Sequence, residues 1–178
     1  NDGGTGFVEE GVARGVAGST TDSLGAAWGD VDGDGHPDLY VCREGPAANA
    51  LFINHEVGSG VFTDEAVSRR VASTRSGRQP VMFDWNGDSW LDIAVANTGP
   101  YANEYFVNDG SGVFVESASV LGVLDSRSGL AATTLDVDGD ADLDLYVVNH
   151  ESRDLLYVWD GEGPGVFREE GLTRGLAS

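Results

Sequence analysis

Three short acidic segments, each flanked by apolar residues, recur along this chain. They are DVDGDGHPDLYV from Asp30 to Val41, DWNGDSWLDIAV from Asp84 to Val95, and DVDGDADLDLYV from Asp136 to Val147. Each has Asp or Asn at positions 1, 3, 5 and 9, and we call positions 1–9 the first, second and third acidic loop (30–38, 84–92 and 136–144). Carboxylates that a tight turn gathers around one point repel one another unless a cation lies between them. A hard cation with oxygen ligands fits this pattern best, and calcium accepts this many carboxylates.

The acidic loops are not EF-hand loops, which need a carboxylate at position 12 and connect two helices. Position 12 is a valine in all three segments. The residues that follow are apolar and rich in β-branched side chains, which predicts short strands at Leu39–Val41, Leu91–Val95 and Leu143–Val148. Solvated acidic turns are the simple alternative, but three copies in register favour metal binding.

A second repeated element gives the period of the chain. The sequences GTGF, GSGVF, GSGVF and GPGVF end at Phe7, Phe62, Phe114 and Phe167, with spacings of 55, 52 and 53 residues. We therefore interpret residues 1–178 as a single repeat region. Its approximate repeats are 7–61, 62–113 and 114–166, and residues 167–178 begin a further unit.

The middle repeat predicts the fold of one unit. Strands are expected at Gln79–Phe83 before the acidic loop, at Leu91–Ala96 after it and at Asn103–Val107, with a short strand or turn from Phe62. Glycine, asparagine and aspartate separate them. Four short strands per unit are typical of a β-propeller blade, so the fold class is all-β. The segments Val8–Val16 and Glu116–Leu124 could equally form a helical turn.

Charge and motifs exclude several classes of function. The net charge is −20 and lysine is absent, so nucleic acid is a poor partner. No apolar run of 18 residues predicts a membrane span. No nucleophile elbow, P-loop or CxxC motif is present, so we expect no enzyme activity. The single cysteine, Cys42, is expected in the core, and the Arg69-Arg70 pair is expected to form local salt bridges with the acidic surface.

The segments LGAAWGDVDGDGHPDLYV, NALFIN and GSGVFTD resemble the FG-GAP/VCBS repeats of integrin-α-type β-propellers. They are most similar to the variant of cartilage acidic protein and its bacterial relatives, and the resemblance covers nearly the whole chain. It implies about three Ca²⁺ ions, each bound between the first two strands of a blade. Carried over by position, the ligands are Asp30, Asp32, Asp34, the His36 carbonyl and Asp38; Asp84, Asn86, Asp88, the Trp90 carbonyl and Asp92; and Asp136, Asp138, Asp140, the Asp142 carbonyl and Asp144.

The chain departs from the family pattern in its loops and in its blade number. Position 6, commonly glycine, is Gly35 in the first loop but Ser89 and Ala141 in the others, which predicts strain if this position needs a positive φ. Asn86 removes one charge, so the second loop should bind calcium most weakly. Three acidic loops are too few for a closed propeller. We therefore expect either a partial propeller within a longer chain or a self-assembling array of blades.

The resemblance implies a non-enzymatic, calcium-binding repeat protein for adhesion, scaffolding or self-assembly, secreted or at the cell surface. The expected partner is another protein or copies of the same chain, as a homo-oligomer or within a longer chain. A carbohydrate-binding propeller module is an alternative, which would require Trp85, Trp90 or Trp159 at the surface. Otherwise Trp85 and Trp90 cover the neighbouring blade. An accessory domain of a larger secreted enzyme is a further alternative.

Overall fold

The computed structural model describes residues 6–17, 21–55, 60–159, 161 and 165–176. Within these ranges the chain forms β-strands and no α-helix, which confirms the all-β prediction. The strands are β1 (Ser23–Gly29), β2 (Asp38–Arg43), β3 (Ala50–Asn54), β4 (Phe62–Asp64), β5 (Gly77–Phe83), β6 (Asp92–Asn97), β7 (Glu104–Asn108), β8 (Phe114–Glu116), β9 (Gly129–Leu135), β10 (Asp144–Asn149), β11 (Leu155–Val158) and β12 (Arg168–Glu169).

The strands form three antiparallel sheets of four, in the orders β1-β2-β3-β4, β5-β6-β7-β8 and β9-β10-β11-β12. We call these sheets blades 1, 2 and 3. In each blade, neighbours in sequence are neighbours in the sheet, as in a propeller blade. Strand β1 contacts β5, and β5 contacts β9, so the blades lie side by side through their first strands.

Two apolar clusters hold the blades together. We call the face of a blade that is turned toward the next blade in the chain its front face, and the opposite one its back face. The first cluster joins Val31, Tyr40, Leu51 and Val71 on the front of blade 1 to Ile93, Val95, Phe106 and Phe114 on the back of blade 2. The second joins Phe83, Trp85, Tyr105 and Val123 on the front of blade 2 to Leu145, Val147, Tyr157 and Phe167 on the back of blade 3. Full burial of one such side chain stabilises the fold by about 1.5–3 kcal/mol.

The blades are divided differently from the sequence repeats. Phe62 and Phe114 begin strands β4 and β8, the fourth strands of the sheets that the preceding acidic loops open. The sheets thus run from 23 to 64, 77 to 116 and 129 to 169, whereas the sequence repeats were cut at each Phe. Strand β12 lies in the segment 167–178, which the sequence assigned to a further unit, and it completes blade 3.

A tight turn follows the fourth strand of each blade, at 66–70, 118–122 and 171–175. The turns share one hydrogen-bond pattern, since Val71, Val123 and Leu176 donate to the carbonyls of Ala66, Ala118 and Gly171. The described N-terminal residues 6–17 contain an equivalent turn, in which Val16 donates to Gly11, and no strand. The helical-turn alternative therefore describes these segments better than a strand does.

Each acidic loop connects the first two strands of its blade. Its position 9 is the first residue of the second strand and pairs with the last residue of the first strand, as Asp38 does with Gly29. The same register pairs Asp92 with Phe83 and Asp144 with Leu135. Since the three hairpins are equivalent, the three acidic loops lie at the same end of their blades.

Candidate metal centres

The first aspartate of each acidic loop closes the turn by accepting backbone hydrogen bonds. Asp30 accepts from the N–H of Gly33 through Oδ1 and from that of Gly35 through Oδ2, both at 2.8 Å. The other loops repeat this pair: Asp84 accepts from Gly87 and Ser89 at 2.9 and 2.7 Å, and Asp136 from Gly139 and Ala141 at 2.6 and 3.1 Å. Position 1 therefore folds the loop around its own carboxylate.

Position 6 has a positive φ in all three loops. The angle is 86° at Gly35, 71° at Ser89 and 77° at Ala141. The left-handed region costs a residue with a Cβ roughly 1–2 kcal/mol. The strain that the sequence predicted for the second and third loops is therefore present in the backbone.

Position 9 is buried and anchors each loop to its sheet. Asp38 accepts hydrogen bonds from the N–H groups of Val31 at 3.0 Å and Asn54 at 2.9 Å, so it ties position 2 of the loop to the end of β3. Asp144 does the same with Val137 and Trp159, at 2.8 and 2.9 Å. In the second loop Asp92 accepts from Asn108 at 2.8 Å. These bonds hold the carboxylate toward the interior of the loop.

Positions 1, 3 and 9 bring their carboxylates together. In the first loop one oxygen each of Asp30, Asp32 and Asp38 lies within 4.8 Å of the others. The third loop repeats this arrangement with Asp136, Asp138 and Asp144. The second loop has Asp84, Asn86 and Asp92 at the same positions. The ligands expected at position 5 (Asp34, Asp88 and Asp140) and the carbonyls at position 7 (His36, Trp90 and Asp142) stay predictions.

Burial makes the position-9 carboxyl groups difficult to ionise without a counter-charge. Loss of solvation raises the pKa of Asp38 to about 6, and the nearby carboxylates of Asp32 and Asp34 add to this. The pKa of Asp92 rises to about 7 for the same reason, and that of Asp144 also rises, in each case against the opposing effect of backbone hydrogen bonds. A bound divalent cation would reverse the effect and keep these groups ionised.

One carboxylate oxygen of the first loop is buried without a hydrogen-bond partner among the described residues, namely Oδ1 of Asp32. Leaving such an atom without a partner costs about 1–3 kcal/mol, more for a charged group. In the second loop Asp92 is fully buried, and backbone hydrogen bonds from Asn108 and Trp85 partly offset the effect of burial on its pKa. An oxygen-rich loop with an unpartnered oxygen fits a calcium ion.

An arginine touches the first and third loops but not the second. Arg69, in the turn after β4, lies 2.8 Å from Asp32 Oδ2 and 2.9 Å from Glu65 Oε2, with its side chain only 11% exposed. Arg174, at the equivalent place in blade 3, approaches Asp138 Oδ2 at 3.5 Å on a more exposed surface. In blade 2 the residue equivalent to Arg69 is Leu121, and the residue equivalent to Asp32 is Asn86. The salt bridges expected for the Arg69-Arg70 pair are therefore confirmed for Arg69.

Three of the four tryptophans, Trp85, Trp90 and Trp159, lie against a neighbouring blade. Trp85 and Trp159 are 8% and 5% exposed, with ring centroids 4.3 Å apart in an edge-to-face arrangement. The ring of Trp90 lies against the first acidic loop, because a Cβ on Gly33 would be 2.8 Å from it. Trp85 thus covers the neighbouring blade, as the sequence favoured, and neither Trp85 nor Trp159 offers the exposed face that carbohydrate stacking needs.

Elsewhere the described residues hold no further group of three His, Cys, Asp or Glu side chains that could hold a metal ion. Cys42 is buried in the core, as expected. None of the described segments forms a helix of the length and apolarity that a membrane crossing requires.

The comparisons agree with this geometry. The FG-GAP-like repeat family matches the chain twice, at residues 30–95 and 84–147. Each match begins at the first aspartate of one acidic loop and ends in the strand after the next. Among curated proteins no significant match was found. Because the two matches together cover residues 30–147, well over half of the chain, the protein belongs to the FG-GAP-like repeat family.

Proposed function

We propose that this chain is a non-enzymatic, calcium-binding repeat module that acts outside the cell in adhesion or scaffolding. The observation that carries the proposal is the convergence of carboxylates at positions 1, 3 and 9 of the first and third acidic loops, with the unpartnered Oδ1 of Asp32 in the first. Membership of the FG-GAP-like repeat family supports it. Three Ca²⁺ ions are expected, one for each loop.

The donor set favours calcium over other common metals. Carboxylate and carbonyl oxygens select hard cations, whereas zinc and copper sites use histidine or cysteine. Calcium tolerates an irregular shell of six to eight oxygens, and magnesium demands a near-ideal octahedron. Extracellular modules bind calcium with dissociation constants on the order of 10⁻⁴–10⁻³ M, which fits ions that are always present outside cells.

The same geometry argues against catalysis at these loops. A hydrolytic pair of carboxylates needs one protonated acid beside one ionised base. A bound divalent cation would ionise all the carboxylates that surround it, so neither role would be filled. The loops are therefore proposed to stabilise the blades and not to carry out chemistry.

Thermal unfolding with and without calcium tests the proposal. Calcium that binds only the folded chain should stabilise it by about 2.7 kcal/mol per site at a hundredfold excess over the dissociation constant. The melting temperature should therefore rise clearly in calcium and fall in EGTA.

Variants assign that stabilisation to the loops. Asp136→Asn removes one charge but keeps a side-chain acceptor, and it should remove most of the third site's contribution. Asp22→Asn is the matched control, because Asp22 is exposed and lies outside every acidic loop. An identical loss in both variants, or a melt that does not respond to calcium, would contradict the proposal.

A further inference from the structure

A tyrosine hydroxyl joins two elements on the front face of blade 1. Asn49 Nδ2 donates to the hydroxyl oxygen of Tyr40 at 3.1 Å, and this hydroxyl donates to the carbonyl of Val71 at 3.0 Å. Asn49 directly precedes β3, and Val71 directly follows the turn after β4. All three residues are buried. The hydroxyl therefore connects the start of β3 to the turn and satisfies a buried donor and a buried acceptor at once.

Blade 3 repeats the side-chain half of this arrangement. Tyr146 is equivalent to Tyr40, since each pairs with the second residue of the third strand. Its hydroxyl donates to Asp154 Oδ2 at 2.8 Å, and Asp154 precedes β11 as Asn49 precedes β3. In both blades the polar side chain before the third strand thus has a tyrosine hydroxyl as its partner.

Blade 2 keeps the polar side chain and lacks the tyrosine. Register places Asn103 at the position of Asn49. It places Ala94, which has no hydroxyl, at the position of Tyr40. Asn103 Oδ1 accepts from the N–H of Asn97 at 2.9 Å, but Asn103 Nδ2 is buried and has no hydrogen-bond partner among the described residues. The amide donor of blade 2 therefore lacks the acceptor that blade 1 supplies.

A cavity lies in blade 2 where blade 1 has the tyrosine side chain. Ala94, Asn103 and Val123 line it from blade 2, and Tyr157 lines it from blade 3. The volume of the cavity is about 10 Å³, which is close to the room that one water molecule needs. Val123 directly follows the turn after β8, as Val71 follows the turn after β4. The cavity thus lies between the residues that a tyrosine hydroxyl would join.

The nearby Tyr105 does not replace this hydroxyl. Tyr105 pairs with Ala94 across β6 and β7, and its ring lies edge-to-face against Phe83 and Trp85, with centroids 5.8 and 6.3 Å away. Phe83 and Trp85 flank the first aspartate of the acidic loop, whereas Asn103 lies at the opposite end of β7. The Tyr105 hydroxyl is itself buried without a partner among the described residues, so it does not accept from Asn103.

The polar groups at the cavity select a small neutral ligand. The donor is an amide, and by equivalence with Val71 the acceptor is the carbonyl of Val123. Most of the remaining lining is apolar. The Glu104 carboxylate is already engaged, because it accepts from Asn97 Nδ2 at 3.1 Å and lies 3.6 Å from Arg75 Nε. A cation would therefore have no counter-charge, and an organic molecule would have no room, whereas water both accepts and donates.

We propose that this cavity binds one buried water molecule, which accepts a hydrogen bond from Asn103 Nδ2 and donates one to the carbonyl of Val123. The water takes the place of the Tyr40 hydroxyl of blade 1 and connects the start of β7 to the turn after β8. Without it, a buried amide donor has no partner, which lowers the stability of the fold. The site lies outside the acidic loops, so the inference goes beyond calcium binding.

Magnetic relaxation dispersion of water nuclei tests the proposal, because it counts the water molecules that stay inside a protein for longer than its tumbling time. The variant Ala94→Tyr/Tyr105→Leu gives blade 2 the Tyr40–Leu51 pair of blade 1. Its new hydroxyl should displace the water, so the count should fall by one at the same saturating calcium concentration. The control Tyr101→Leu alters an exposed tyrosine and should leave the count unchanged.

Ala94→Val separates a filled cavity from an empty one. In an empty cavity the two added methyl groups gain contacts, so the urea midpoint should rise. In a filled cavity the methyl groups displace the water and leave Asn103 without a partner, so the midpoint should fall. We expect a lower midpoint together with a water count lower by one. A higher midpoint or an unchanged count would overturn the proposal.

A crystal structure of the wild type examines the site without any substitution. Electron density for one water within hydrogen-bond distance of Asn103 Nδ2 and the carbonyl oxygen of Val123 is expected. An empty cavity, a different ligand, or an equal water count in the wild type and the double variant would refute the assignment. Circular dichroism of the double variant separates loss of the water from loss of the fold. If that variant does not fold, the wild-type density decides the question alone.

Discussion

The first and second acidic loops share the backbone hydrogen bonds to their first aspartate but differ in charge. In the first, Asp32 is paired at 2.8 Å with Arg69, which also donates to the carbonyl of Gly112 in blade 2 at 3.1 Å. In the second, Asn86 donates to Asp88 Oδ2 at 2.8 Å, and the buried Leu121 takes the place of the arginine. The third loop follows the first, with a longer and more exposed pair of Asp138 and Arg174.

The difference indicates that the carboxylate at position 3 and its arginine form a unit. A buried arginine without a carboxylate would be an uncompensated charge, and a carboxylate without the arginine would add to the repulsion inside a loop that lacks metal. Blade 2 has neither. We therefore expect the arginine to support the metal-free loop and to oppose calcium, while the second loop lacks both effects.

The largest expected effect comes from adding the arginine to blade 2 without its carboxylate partner. Leu121→Arg places a cation in the apolar joint between blades 2 and 3, where Leu121 is 5% exposed. The free energy of unfolding should fall by roughly 3–5 kcal/mol. Adding Asn86→Asp should restore part of that loss in a double-mutant cycle followed by urea unfolding. Strictly additive effects would show that the two positions are not coupled.

Removing the arginine from blade 1 should have a smaller effect. It should lower the stability of the metal-free chain and raise the affinity of the first loop for calcium. Arg69→Leu leaves Asp32 without its partner, so in EGTA the free energy of unfolding should fall by roughly 1–3 kcal/mol. Calcium affinity at the first loop should rise about fivefold, because a nearby cation contributes roughly 1 kcal/mol of repulsion. The double variant Arg69→Leu/Asp32→Asn reproduces the arrangement of blade 2 and should recover most of the stability.

The control for this variant is Arg14→Leu. Arg14 occupies the equivalent turn position in the N-terminal segment, where it pairs with Glu10 on an exposed surface. An exposed pair contributes about 0–1 kcal/mol. Weaker calcium binding in Arg69→Leu would contradict the idea that the arginine opposes the ion.

The pH dependence should differ between the metal-free and the calcium-bound chain. Burial raises the pKa of Asp92 to about 7 and that of Asp38 to about 6, from an ordinary value of 3.8. Between pH 4 and 7 the metal-free folded chain thus binds more protons at these groups than the unfolded chain does, and their contribution to stability falls as pH rises. Calcium needs the ionised groups, so its effect on the melting temperature should be small at pH 5 and large at pH 8. A calcium effect that is equal at both values would contradict this assignment.

The smallest expected effect concerns the strained position 6. Ser89→Gly and Ala141→Gly relieve a Cβ at φ 71° and 77°, so each should stabilise its loop by about 0.5–1 kcal/mol. Gly35→Ala is the reverse change at φ 86°, in a place where a Cβ meets no atom within 4 Å, so any cost is conformational. Chemical unfolding in calcium measures all three variants. Destabilisation by both glycine substitutions would show that the strain is absent in solution.

The sequence predicted the acidic loops and their neighbouring strands well, because both depend on local patterns. Alternating aspartates define the loop, and the glycine common at position 6 pointed to the positive φ that Ser89 and Ala141 share with Gly35. The residues at which each blade begins and ends were harder to predict from the sequence. Phe62 begins a sequence repeat, yet the strand that starts there pairs backward onto β3, and only the sheet register reveals this.

Contacts between distant parts of the chain were the least predictable. Nothing near Asp32 in the sequence points to Arg69, 37 residues away, as its partner. The equivalence of Arg69, Leu121 and Arg174 likewise follows from the hydrogen bonds that the turns of the three blades share.

Isothermal titration calorimetry of the wild-type chain with calcium at pH 8 tests the central claim most directly. We expect a stoichiometry near three, with one site changed selectively by Asn86→Asp and another by Arg69→Leu. A stoichiometry near zero, or a single site that neither substitution alters, would contradict the assignment of the acidic loops as calcium sites.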